Sequence, residues 1–286
     1  MIPPRTILAP VDFSDASLVS LELAARLAAR WSAVLHVMHA IDPLLAAAAG
    51  TRHLDLAGTT RDELTAFAMP AAGPGAVRYH VKVGAAAESI CRTAEALGAD
   101  LIVAGTRGLA GLNRLVMGTT TEHVIRRATR PVLTVPGRPA SGDVSYGPVI
   151  AALERPDDPG LVATAAAALA ASLDAPFHVV HVVPPLTAAA RWRSEADAVL
   201  QARIDDARRT LSAAMGGVGG PPPASVQVTT GPVADTLAAE VSRYSATIAL
   251  LVLGRNEPGS GHAPGSVASR VIARATAPVW VHLSGG

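Results

Sequence analysis

The stretch AVLHVMHAIDP at residues 33–43 returns as APFHVVHVVPP at residues 175–185, with both histidines displaced by 142 positions, His36 to His178 and His39 to His181. Self-similarity at a fixed long offset marks a repeated structural unit and outranks any local reading of helix or strand. A second match carries the repeat to its far end: RATRPVLTV at 127–135 aligns with RATAPVWVH at 274–282, placing Pro131 over Pro278 at an offset of 147. The larger second offset is absorbed by a lengthened middle segment. A length of 286 residues suits two domains of this size. The expected division is 1–137 and 148–286, joined by a linker at 138–147 that contains Pro139, Ser141, Gly142 and Ser145. The similar run GGVGGPPP at 216–223 falls inside the second copy and reads as an internal loop.

Each copy opens with a buried-strand run, TILAPVDF at 6–13 and PVIAALE at 148–154. Helical spacing of apolar residues follows, at Leu18, Leu21, Ala25 and Ala28, then at Leu161, Ala165 and Leu169. The histidine-bearing runs LHVMHAI and FHVVHVV form the second strand. After a variable stretch rich in Ala, Gly and Pro comes a third, VRYHVKVG or SVQVTTG, then a helix over 86–97 or 233–244. The most hydrophobic strands, DLIVAG and IALLVLG, a further helix, and PVLTVP or PVWVHL complete each copy. Apolar strands alternating with helices predict a parallel sheet covered on both faces. The fold class is α/β, two tandem doubly wound domains with five parallel strands each.

Bulk composition removes several classes of function. A net charge of +1 gives no field to draw in a phosphate backbone, and an aromatic content of 3% leaves few rings for base stacking, so nucleic acid is not an expected partner. Cys91 is the only cysteine, which rules out an internal disulfide and a cysteine-rich zinc site and fits a reducing compartment. Asp12 interrupts the opening apolar run where a signal peptide would need continuity. The longest near-apolar run, Leu161 to Leu173, is broken by Thr164 and Ser172 and is shorter than the roughly 18 residues of a membrane span. A cytoplasmic protein without a membrane partner is the expectation.

In open α/β sheets ligands sit beyond the carboxyl ends of the strands, where strand order reverses. In the first copy those places hold Ala9-Pro10-Val11-Asp12-Phe13-Ser14, then Gly105-Thr106-Arg107-Gly108, and, nine residues later, Gly118-Thr119-Thr120-Thr121. Glycines admit close approach of a phosphate, and a Gly-Thr opening a helix offers amides and hydroxyls at the positive helix end. A P-loop is excluded, because the only lysine, Lys82, lies in the strand-like VKVG. The dinucleotide GxGxxG is absent as well.

The pattern Gly-x2-Gly-x9-Gly-Thr at Gly105, Gly108, Gly118 and Thr119, with the opening ILAPVDFSDAS and the closing RATRPVLTVP, resembles the ATP-binding class of universal stress proteins. The resemblance covers nearly the whole first copy. It implies an adenine nucleotide alpha hydrolase-like sheet of order 3-2-1-4-5, with ATP, with or without magnesium, as the ligand. It also implies that Pro10, Val11 and Asp12 flank the adenosine and that Val37 lines the adenine pocket. Gly105, Arg107 and Gly108 would follow the phosphates, with Gly118, Thr119 and Thr120 closing on them. An acidic side chain suits a ribose diol or the adenine amine, and amides suit phosphates.

The second copy is worn at these places. Glu154 stands over Asp12, and the glycine loop reads Gly254-Arg255-Asn256-Glu257, then seven residues, then Gly265-Ser266. A carboxylate beside a triphosphate adds like-charge repulsion, so the second site is expected to be degenerate. Plainer roles compete at several positions. Asp12 or Ser14 suits a helix N-cap. The paired histidines point to opposite faces of a strand and read as structural, so no metal is expected. Cys91 reads as a small core residue, and Arg126, Arg127 and Arg130 suit a helix C-terminus.

Three functional classes follow. The first is an ATP-holding signalling module with at most slow hydrolysis and an unidentified protein partner. The second is a partner-binding scaffold that takes no nucleotide. The third is an adenylating enzyme of related fold, which would need a poised base or nucleophile that the sequence does not show; no catalytic residue is assigned. Apolar terminal strands leave edges that require cover, which predicts pairing of the copies as an internal pseudo-dimer, with or without a further homodimer.

Overall fold

The computed structural model describes residues 3–73, 75–106, 117–137, 145–256 and 266–284. The chain divides into two compact units, residues 3–139 and 140–286.

In the first unit β1 (Thr6–Pro10), α1 (Asp15–Trp31) and β2 (Val34–Ile41) are followed by α2 (Pro43–Gly50) and α3 (Leu56–Ala72). Then come β3 (Val77–Val83), α4 (Ala86–Leu97), β4 (Leu101–Gly105), α5 (Thr119–Arg127) and β5 (Val132–Val135). All four strand pairings are parallel and run in the order β3-β2-β1-β4-β5. Ile7, Leu8 and Ala9 of β1 and Leu101, Ile102 and Val103 of β4 have no exposed surface, because helices cover both faces of these central strands. α1 packs against β1 and α3, while α4 packs against α5 on the other face. The start of β1 is pinned beside β4 by Asp100, whose Oδ2 accepts from the amides of Arg5 (2.9 Å) and Thr6 (3.1 Å).

The second unit repeats the plan with β6 (Tyr146–Leu153), α6 (Gly160–Leu173), β7 (Phe177–Val183), α7 (Arg193–Met215), β8 (Ser225–Thr230), α8 (Val233–Ser242), β9 (Ile248–Asn256), α9 (Ser266–Arg274) and β10 (Val279–Ser284). Its parallel strands run β8-β7-β6-β9-β10, the same 3-2-1-4-5 order. Alanines bring α6 close to the sheet: Ala163, Ala166, Ala167 and Ala170 are wholly buried.

The variable middle of each copy is helical. In the first copy Asp42 caps α2 through Leu44 N at 2.7 Å with Pro43 at the first helical position, and Asp55 caps α3 through Gly58 N at 2.9 Å. In the second copy the same place holds the single 23-residue helix α7, of which only Ala207 and Leu211 are buried. No described helix is long and apolar enough to cross a membrane.

Candidate functional site

The direction of strand succession reverses between β1 and β4, the place where doubly wound sheets receive ligands. Leu8 is in register with Ile102, so the residues after the strands, Asp12 and Thr106, emerge level with each other. Asp12 Oδ1 accepts from the amide (3.1 Å) and the hydroxyl (2.5 Å) of Ser14. Ser14 is the N-cap of α1, its Oγ accepting from Ser17 N at 3.2 Å. Ser17 Oγ donates to Ser14 O (2.8 Å) and accepts from Asp12 N (3.4 Å). The cap is thus Ser14, and Asp12 is the acidic group that orients it from the mouth of the sheet.

Between them Phe13 is left-handed, with φ of 63°. For a bulky L-residue that conformation costs roughly 1–2 kcal/mol and persists only where packing imposes it. The packing is aromatic. The Phe13 ring sits 4.6 Å from the His39 ring and 5.4 Å, edge-on, from Phe67 of α3. His39 Nδ1–H in turn donates to Val11 O at 2.9 Å, so the second strand holds the end of the first.

The other side of the mouth is built by β4 and α5. Gly118, extended at φ −61° and ψ 139°, is the N-cap of α5 and has no side chain to occupy the helix end. Gly118 N donates to Thr106 O at 2.9 Å, and Thr121 Oγ1 donates to Gly105 O at 2.7 Å. These two bonds clamp the first turn of α5 against the end of β4, leaving Thr119 and Thr120 exposed. Amides of an uncapped first turn, two exposed hydroxyls and the positive helix end suit an anion. Glu122 in the same turn is engaged by Arg126 at 2.6 Å.

Of the residues singled out in the sequence, Pro10, Val11, Asp12, Gly105, Gly118, Thr119 and Thr120 lie around this mouth. Arg107 and Gly108 lie outside the described residues. Val37 is placed differently: it is in register with Ala9 and fully buried, inside the sheet below the mouth. Ala40, half-buried and three residues further along β2, is the residue at the level of Asp12. Phe13 and His39 were not singled out as site residues, although the repeated histidine spacing carried the signal for His39.

In the second unit the same carbonyl anchor recurs, His181 Nδ1–H donating to Leu153 O at 2.8 Å. Around it the chemistry differs. Glu154 is exposed, and Arg155, in the place of Phe13, is paired with Asp157 at 2.6 Å. Helix α6 begins after Pro159 without a side-chain cap. Val267 and Ala268 of α9 replace Thr120 and Thr121, so the hydroxyl that ties α5 to β4 has no counterpart. A cleft of about 870 Å³ opens at these strand ends, lined by β6, β7 and β9 and by helices α6 to α9.

The outer histidines of the repeat face the other side of their strands. His36 Nδ1 and His80 Nε2 are 2.8 Å apart with rings stacked, and His178 Nδ1 meets Ser225 Oγ at 2.5 Å. Burial chiefly, then the charges of His80 and Arg78, hold the His36 pKa below 6.5. Burial, Lys82, Arg61 and Arg78 do the same for His80. Among the described residues no group of three His, Cys, Asp or Glu gathers as a metal site.

A doubly wound parallel sheet of one strand order, built twice in the chain, defines a tandem α/β protein. The model of the universal stress protein family matches residues 4–136 and again 145–282. The chain belongs to the universal stress protein family. A universal stress protein of Methanocaldococcus jannaschii is 33% identical over 138 residues, 46% of this chain and 81% of that protein. A functionally unknown protein of Pseudomonas aeruginosa aligns with 98% of this chain and 93% of its own at a TM-score of 0.64 and 20% identity. A universal stress protein from Archaeoglobus fulgidus covers 99% of this chain and 100% of its own at 0.61 and 17%. These two structural likenesses establish the tandem fold.

Proposed function

We propose that the first unit is an adenine-nucleotide module holding ATP, and that the chain serves as a stress-response signalling protein whose contacts with a protein partner follow nucleotide occupancy. The observation that carries this reading is the clamp of α5 on β4, which holds an uncapped helix N-terminus and two exposed threonines beside the Asp12 loop. In this reading Pro10, Val11 and Asp12 receive the adenosine, Asp12 accepting a ribose hydroxyl or the adenine amine through the face turned from Ser14. Gly105, Arg107, Gly108, Gly118, Thr119 and Thr120 receive the phosphates. Val37 supports the adenine side from within the core, and Ala40 supplies the β2 backbone at the level of the ring. Magnesium, where bound, would neutralise phosphate charge.

Holding rather than turning over fits the same geometry. Glu122 is engaged by Arg126, so among the described residues the phosphate side has no carboxylate poised as a base. Hydrolysis in this reading is slow at most.

Calorimetric titration of the full chain with ATP tests the assignment. One site per chain is expected, with Asp12→Ala and Gly118→Val each lowering affinity at least about tenfold, the loss of a charge-assisted contact or of the space at the helix end. Both variants binding like the parent would overturn it. One solved universal stress protein, 27% identical over 47% of this chain at a TM-score of 0.37, is complexed with cAMP, which makes cAMP a competitor to include.

A further inference from the structure

The strand order of the first unit ends at β3, which among the described residues pairs with β2 alone. Two bonds fix which of its backbone groups are used. Leu35 N donates to Ala76 O and Gly84 N donates to Ile41 O, both at 3.0 Å. In a parallel ladder one residue turns its amide and carbonyl to a neighbouring strand and the next residue turns both away. Arg78, His80 and Lys82 therefore give their backbone groups to β2, while those of Val77, Tyr79, Val81 and Val83 face outward. Such a row of outward amides and carbonyls is a template for one more strand.

The side chains of β3 are sorted by face. Arg78, His80 and Lys82 alternate onto one of them. On β2 the same face is covered: α4 packs there, and His36 and Met38 are buried. On β3 it is open, with Arg78 and Lys82 exposed and His80 half-buried, its ring stacked on His36. The charges that act on His80 are Lys82, Arg61 and Arg78, all positive. Glu88 of α4 is engaged by Arg92 at 2.6 Å. The opposite face of β3 offers half-buried Val77, Tyr79 and Val81. Charge on an outer strand can serve only to repel other strand edges. The second unit argues against that use here. Its outer strand β8, of the same plan, carries no charged side chain, so the fold does not require a cationic edge. The chain's only lysine stands in this row.

We propose that β3 is a docking edge for an extended acidic protein segment. The segment adds as a further strand, its carboxylates beside Arg78 and Lys82 and its intervening apolar side chains beside Tyr79 and Val81. None of the residues assigned to nucleotide takes part, and the edge is available whether or not ATP is held.

The probe is a short dye-labelled peptide of alternating aspartate and valine, titrated into the full chain and read by fluorescence anisotropy. Saturable binding is expected, at least about tenfold tighter than that of a peptide with the same residues in two blocks, because only alternation puts every carboxylate on the cationic face. Arg78→Glu combined with Lys82→Glu should weaken it at least about tenfold. The same variant should bind the lysine and valine counterpart, a gain that loss of the fold would not produce. Amide exchange resolved by residue in NMR locates the peptide: Tyr79 and Val81 should gain protection at saturation, while Arg78 and His80, already bonded to β2, are protected throughout. No saturable binding, equal affinity for the block peptide, a charge-reversed variant that binds like the parent, or unprotected Tyr79 and Val81 at saturation would each overturn the proposal. An oligothymidylate that binds as tightly as the alternating peptide would mark a plain polyanion surface and overturn it as well.

Discussion

Replacing Phe13 by alanine and by glycine separates what holds this residue in place from what the residue costs. Its φ of 63° is a conformation that burdens a side-chain-bearing residue by roughly 1–2 kcal/mol. Its ring makes two aromatic contacts, at 4.6 Å with His39 and 5.4 Å with Phe67, each worth about 1 kcal/mol beyond burial. Alanine loses both contacts and keeps the strain, a cost of about 2 kcal/mol. Glycine loses both contacts as well but sheds the strain, against an entropic cost of about 0.5–1 kcal/mol, leaving a net cost of about 1 kcal/mol. The glycine variant is therefore expected to be the more stable of the two, the reverse of the order in regular structure. Hydrogen exchange of the full chain, read in peptides covering β1 and β2, confines the measurement to this unit. Alanine equal to or more stable than glycine would show that the left-handed turn is relaxed away in the variants, and that aromatic packing is not what imposes it.

Other consequences follow from single contacts. Thr121→Val removes the hydroxyl that donates to Gly105 O and should destabilise the first unit by about 1 kcal/mol while weakening ATP uptake several-fold; unchanged ATP affinity on titration would mean that this clamp does not shape the phosphate side. His181→Phe leaves Leu153 O without its 2.8 Å donor at a buried position, with an expected loss of about 1–2 kcal/mol in urea unfolding; a neutral result would mean that cleft water takes over the carbonyl. His36 and His80 both titrate below 6.5 in the folded unit, so the unfolded chain binds more protons just under that pH. Stability is complete above 6.5 and falls as pH drops from there to the folded values. His80→Gln should flatten that fall, with burial and Arg78 still present to depress His36, and a fall as steep as the parent's in unfolding across this range would refute the assignment.

How much of this was legible in the sequence depends on which forces wrote it. Central strands such as 6–10 and 101–105 are apolar on both faces because both faces are covered, and such runs announce themselves. The repeat was legible because the His39 to Val11 carbonyl bond and its double at His181 and Leu153 constrain the same spacing twice. The middle helices were not. Ala-rich α2 and weakly amphipathic α7, with two buried positions in 23 residues, lack the stripe that marks a helix, although Asp42-Pro43 was a legible start signal. The height of Val37 in the sheet was hidden for another reason. Depth along a strand is set by register with its neighbours, and periodicity along one strand tells face but not height. Phe13 is legible only in three dimensions, since nothing local marks a phenylalanine for a left-handed turn.

Comparison of the two units separates scaffold from chemistry. Both keep the strand order and the imidazole donating to a carbonyl at the end of the first strand, at 2.9 and 2.8 Å, so this bond belongs to the fold. What differs at the mouth is the set of residues that close or charge it. Phe13 gives way to Arg155, the Ser14 cap to Pro156, and Thr120-Thr121 to Val267-Ala268.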